Sequence, residues 1–163
     1  MKKILLTIFL VICFVGVANA QSTLAVQEKC AEGAKKWFFE HINSYGGKWG
    51  SFTTEDGPLA GWHTNYFESH YNRKRDKCFV KVNWSFFPKD KGKESMTGID
   101  VFDVFEDKPI GNFAHSSWLK EKPDLVFSRF EDRELVPLLQ ADKVNPIVER
   151  KKFEALIKPY MEE

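Results

Sequence analysis

Cys30 and Cys78 constrain this chain more than any other two residues, because two different periodicities turn them the same way. From Leu24 to Ile42, Val26, Cys30, Gly33 and Trp37 recur at helical spacing, with Ala34, Phe38 and Ile42 beside them. Glu28, Lys29, Glu32, Lys35, Lys36 and Glu40 fall on the other side, so this segment reads as an amphipathic helix with Cys30 on its apolar stripe. Cys78 to Phe87 alternates with a period of two: Cys78, Val80, Val82, Trp84 and Phe86 form one face, and Phe79, Lys81, Asn83, Ser85 and Phe87 the other. Both elements aim a cysteine at the core, so the helix must lie on the strand. A bond between them would close a loop of 48 residues, and the chain-entropy argument gives it about 4 kcal/mol.

The third cysteine, Cys13, belongs to a different feature. Met1-Lys2-Lys3 is basic, Ile4 to Val17 is apolar, and Ala18-Asn19-Ala20 follows. That is the plan of a secretory leader over residues 1–20, cut between Ala20 and Gln21, with a single domain over 21–163. The apolar run is shorter than the roughly 18–20 residues that span a bilayer. Leu10-Val11-Ile12 before Cys13 are too large for a lipid-attachment site. The expected location is therefore exported, periplasmic or secreted, where a cysteine pair is oxidised. No Cys-x-x-Cys suggests redox chemistry. Without Lys2 and Lys3 the chain carries 22 basic against 23 acidic residues. Near-neutrality gives no footprint for nucleic acid or an anionic membrane. No second long apolar run follows, so no transmembrane segment is expected in the mature chain.

Residues 43–61 lack periodicity and hold five of the ten glycines, which predicts a loop. Trp62–Tyr71, Met96–Phe105, Ile110–Trp118 and Leu125–Phe130 read as further strands, with a polar turn over Pro88–Lys93. Asp100 and Asp103 fall on opposite faces of theirs. Glu131–Gln140 predicts a helix interrupted by Pro137. Asn145-Pro146 opens a last helix, Asn as cap and Pro in the first turn, with Phe153, Leu156, Ile157 and Tyr160 as its apolar face. The expected class is α+β: an N-terminal helix on an antiparallel sheet of about four to five strands, with a C-terminal helix, both helices on one face.

The stretch His70-Tyr71-Asn72-Arg73-Lys74-Arg75-Asp76-Lys77-Cys78-Phe79-Val80 resembles a motif of small exported bacterial proteins of unknown function. There a Tyr-Asn, a basic pair and a Lys-Cys-Phe segment join two strands. Lys35-Lys36-Trp37-Phe38, Ile99-Asp100-Val101 and the terminal Phe153-x-x-Leu156-x-x-x-Tyr160-Met161 are similar as well. The resemblance implies export and one domain; it implies no activity. Some relatives carry further cysteines toward the C-terminus, and residues 119–145 here have none.

Candidate chemistry is sparse. His63 and His70 are seven apart, which places them on opposite faces of a strand, and only Glu68 shares a face with His70. A zinc site needs three or four ligands. Ser51, Ser69, Ser116 and Ser117 sit in no G-x-S-x-G elbow. Two surfaces remain as candidate binding regions: the basic tip Arg73, Lys74 and Arg75, and the aromatics Trp49, Phe52 and Trp62. The expectation is a non-catalytic binding or interaction domain of a bacterial cell envelope, with an envelope or extracellular partner and with no cofactor or metal. The alternatives are a small envelope hydrolase using His63, His70 or His115, and a periplasmic metal-binding protein.

Overall fold

A computed structural model describes residues 24–41, 50–55, 60–90, 94–117, 125–131, 133–140 and 144–162. The leader, the cleavage position at Ala20 and Gln21, and Trp49 lie outside the described residues. Helix α1 covers residues 24–41. Seven strands follow: β1 (Gly50–Thr54), β2 (Gly61–Asn72), β3 (Lys77–Pro88), β4 (Ser95–Asp103), β5 (Lys108–Ser117), β6 (Leu125–Phe130) and β7 (Arg133–Gln140); helix α2 (Pro146–Met161) closes the order. Every neighbouring pair is antiparallel, and the strands lie in chain order as one meander. The α+β class is as the sequence predicts.

Three expectations change. Gly50–Thr54 is not loop but edge strand β1, paired with β2 from Gly50 opposite Asn65 to Thr54 opposite Gly61. Glu131–Gln140 is not helical. Glu131 takes a positive φ of 46° and turns the chain, and Arg133–Gln140 pairs back onto β6. A proline inside a helix costs about 3 kcal/mol, whereas an edge strand tolerates Pro137 because one side of its ladder is unpaired. The two edge strands thus lift the count to seven.

The third change concerns the helices, which lie on opposite faces. Directly paired residues share a face. Val80 stands opposite Phe102 and Val82 opposite Asp100, on the side where Cys30, Ala34, Trp37 and Phe38 of α1 pack. Lys81 stands opposite Val101 and Asn83 opposite Ile99, on the side where Phe153 and Ile157 of α2 pack with Phe113 and Val126. Phe79, on that second side of β3, is also fully buried, in edge contact with Tyr160. The sheet therefore has two cores. Cys30 and Cys78 form a disulfide between α1 and β3, their Cα atoms 5.4 Å apart.

Both helices hold the same end of the sheet, where the turns 73–76 and 104–107 lie. On the α1 side, Trp37 donates from Nε1 to Asp107 Oδ1 at 2.7 Å, and its ring packs on Phe102. His41 stacks on Trp37 and reaches the same carboxylate through Nε2 at 3.2 Å. On the α2 side, Gly111 is the seat for Phe153. A Cβ there would lie 2.8 Å from the Arg129 carbonyl and 3.1 Å from the Phe153 ring. The N-terminus of α2 is capped as expected, with Asn145 Oδ1 accepting from Ile147 and Val148 N–H groups. Of the expected apolar face, Phe153, Ile157 and Tyr160 are buried, while Leu156 is exposed.

The other end of α2 is capped from the sheet. Asn72, 2% exposed, donates from Nδ2 to the Pro159, Tyr160 and Glu162 carbonyls at 2.8, 3.4 and 3.2 Å. Its Oδ1 accepts from Arg75 N–H at 3.1 Å, so one amide shapes the turn and ends the helix. Lys77 ties this turn to the next, with Nζ 2.8 Å from Asp103 and 2.7 Å from Glu106. Those two bonds, Asp103 first, raise the Lys77 ammonium above its ordinary range. Asp103 is fully buried, and its Oδ1 accepts from the Phe105 and Glu106 N–H groups. Replacing Asn72 by Ala removes the donor from one buried and two part-buried carbonyls, so we predict a loss of about 1–3 kcal/mol in urea unfolding. Asn72→Asp, which brings a carboxylate to those carbonyls, should cost more; equal stability of all three proteins would contradict the capping role.

Candidate functional site

β2 and β3 are 12 residues each, about 40 Å at roughly 3.3 Å per residue. The turn-side half lies between the helices. The far half, from Trp62 to Tyr66 and from Asn83 to Phe87, contributes only Trp84, on the α1 side, to either hydrophobic core among the described residues. On the side of α2 this half alternates rings with short polar groups. Trp62 stands opposite Phe87, Thr64 opposite Ser85 and Tyr66 opposite Asn83. Trp62 and Tyr66 are each 45% exposed and Phe87 42%. The Trp62 and Phe87 rings lie 5.2 Å apart, tilted by 36°.

Of the expected aromatic group, Trp62 is therefore at this surface. Phe52 stands opposite His63 in β1, one register position from the Thr53–Trp62 pair. Tyr66 and Phe87 complete the surface. They were legible as strand residues, but their position beyond the helices depends on where those helices end.

The basic tip is a separate place. Arg73, Lys74 and Arg75 sit in the β2–β3 turn, at the opposite end of β2 from Trp62 and about 35 Å away by strand length. Arg73 and Lys74 are exposed. The Arg75 guanidinium lies 4.1 Å from the centre of the Tyr160 ring, a cation–π contact that fastens the turn to α2. Tyr160 in turn bonds Glu131, and Tyr71 bonds Asp76. The tip and the aromatics do not form one site.

The histidines are dispersed. His63 packs on Phe86 on the α1 side. His70 stands opposite Phe79 and His115 opposite Thr97, both on the α2 side, about six residues apart along the strands and so roughly 20 Å. His70 Nε2 is buried without a partner among the described residues. Glu68, its neighbour on that face, pairs with Lys81 at 3.0 Å. No group of three or more His, Cys, Asp or Glu among the described residues could hold a metal ion. No helix among them is long and apolar enough to cross a membrane.

A second site lies on the α1 side, beside α1 rather than beneath it. A cavity of about 280 Å³ is lined by Asp100, Phe102, Pro109, Asn112, Phe127 and Arg129, with Ile110 and Gly111 at its floor. Asp100 is oriented by Trp84, whose Nε1 donates to Oδ2 at 2.7 Å. That reach needs Gly98, which stands opposite Trp84; a Cβ on Gly98 would lie 2.3 Å from the indole and 2.8 Å from the Phe113 carbonyl. Burial pushes the Asp100 carboxyl up from its ordinary 3.8 to about 6, against the downward pull of the Trp84 bond. The separation of Asp100 from Asp103 follows the alternation, but the convergence of Asp100, Asn112 and Arg129 needs the register of three strands, which no local pattern supplies.

No family model, curated protein or solved structure matches the chain.

The raised Asp100 carboxyl has a stability consequence of definite sign. Between 3.8 and about 6 the folded protein keeps a proton that the unfolded chain has lost. Stability therefore falls as pH rises through that window and stays lower above it, by roughly 3 kcal/mol at most. Asp100→Asn keeps an acceptor for Trp84 and removes the charge. It should be more stable than the parent at pH 7.5 by roughly 1–3 kcal/mol, with the gap closing by pH 4. A variant less stable at pH 7.5 would contradict the desolvated carboxylate.

Proposed function

We propose that this chain is exported and serves in a bacterial cell envelope as a non-catalytic binding domain. Its contact surface is the aromatic plate at the open end of the sheet, and its partner is an envelope polysaccharide. Export is supported by the leader pattern over residues 1–20 together with the Cys30–Cys78 bond, which suits an oxidising compartment.

The observation that carries the binding reading is the exposure of Trp62, Tyr66 and Phe87 on a paired, rigid sheet. A buried aromatic stabilises its fold; an exposed cluster of them gives up that gain and marks a contact surface. Flat rings stack on the C–H faces of sugars. Thr64, Asn83 and Ser85, interleaved with the rings by register, offer hydroxyl and amide groups for sugar hydroxyls. Because β2 and β3 are hydrogen-bonded along their whole length, the rings are held in place before any partner arrives, which lowers the ordering cost of binding.

Protein recovered from the envelope fraction should begin at Gln21 and co-sediment with purified peptidoglycan sacculi, with soluble N-acetylglucosamine oligosaccharides competing. The double variant Trp62→Ala with Phe87→Ala, both exposed positions, should keep its unfolding midpoint and lose at least about tenfold in binding, as loss of anchor rings at other interfaces does. Retention equal to the parent, or binding competed only by peptides, would overturn the polysaccharide reading.

A further inference from the structure

The cavity beside α1 is independent of the aromatic plate, on the opposite face and over different strands. Its lining is chemically mixed in an ordered way. Asp100, Asn112 and Arg129 stand side by side in register across β4, β5 and β6: an acid, an amide, a base. Strand spacing puts the acid and the base about 10 Å apart at the backbone. Phe102 and Phe127 lie in the same lining as apolar walls.

We propose that this cavity binds a small zwitterion of the amino-acid type, its ammonium against Asp100, its carboxylate toward Asn112 and Arg129, and its apolar side chain between Phe102 and Phe127. Three observations on different footings support it. The volume, about 280 Å³, lies just below the range for drug-sized ligand pockets, roughly 300–1,000 Å³, which suits a single amino acid. The Asp100 carboxylate is held by a neutral donor, Trp84, and burial disfavours its charged form. A ligand ammonium would supply the missing counter-charge. Arg129, exposed at the rim, has five N–H donors, more than one protein partner can use, so a ligand carboxylate can be added to whatever it already bonds. A purely cationic ligand would meet Arg129 and a purely anionic one would meet Asp100; a zwitterion satisfies both ends.

The test uses the indole N–H of Trp84, whose NMR resonance reports on Asp100 directly. L-Phenylalanine and L-leucine should shift that resonance saturably at concentrations up to about 10 mM. N-acetyl-L-phenylalanine, which lacks the ammonium, and phenethylamine, which lacks the carboxylate, should each bind at least tenfold more weakly. Asp100→Asn, which keeps the fold, should abolish the shift, and Arg129→Gln should weaken it severalfold. Trp62→Ala with Phe87→Ala should leave it unchanged, which separates this site from the polysaccharide surface. The absence of any saturable shift would overturn the proposal, as would equal binding of the acetylated or decarboxylated analogue. Full binding by Asp100→Asn would also overturn it.

Discussion

The bond between Cys30 and Cys78 determines which part of the sheet the first helix can cover. Cys78 is the second residue of β3, just past the turn, and Cys30 is near the middle of the helix. Once they are joined, α1 has to lie over the turn-side end, and Trp37, two helical turns further on, arrives at Asp107 in the neighbouring turn. The second helix is brought to the same end on the other face by a different device. Asn72, the last residue of β2, terminates α2 with its side-chain amide. A covalent staple on one face and a polar cap on the other thus grip one end of the meander between two helices.

The long strands run past that grip. Residues that would be interior under a helix become, half a strand further on, a surface. Cys78, Val80 and Val82 are sealed beneath α1; Trp84, next along the same face of β3, reaches to Asp100, which stands opposite Val82 and lines the cavity beside the helix. On the other face Phe79 is buried against Tyr160, while Phe87, eight residues along, is exposed beside Trp62. Stability and interaction are divided along the strands rather than between domains. The packed half can bear the cost of exposed rings in the other half, because the stabilising burial lies elsewhere.

Local periodicity carried much of this into view. The helix over 24–41, the alternation of β3 and the Asn145-Pro146 start are all short-range patterns, and each is where the spacing puts it. The disulfide followed from two such patterns agreeing. The placement of α2 did not follow, because that face of β3 reads Phe79, Lys81, Asn83, Ser85 and Phe87, apolar only at its two ends, too little to signal a second core. β7 was hidden by helix-forming Glu and Leu residues around Pro137, whose preference is overridden by pairing with β6. The cavity residues were each visible but unremarkable, since an aspartate, an asparagine and an arginine on three strands become neighbours only through register. Arg75 shows the reverse: a cation read as part of a basic tip is exposed, yet also lies over the Tyr160 ring and fastens the turn to α2.

The division of the sheet into a gripped end and an open end is most directly tested by residue-resolved native hydrogen exchange. β3 pairs with β2 along its whole length and with β4 from Phe79 to Phe86, so differences along that stretch report packing rather than the ladder itself. Amides of Phe79 to Val82 should exchange only through global unfolding, while those of Ser85 and Phe86 should exchange through local opening, at least roughly a hundredfold faster. Protection equal along the whole of β3 would contradict the account, because it would mean that the far half is packed as firmly as the half between the helices.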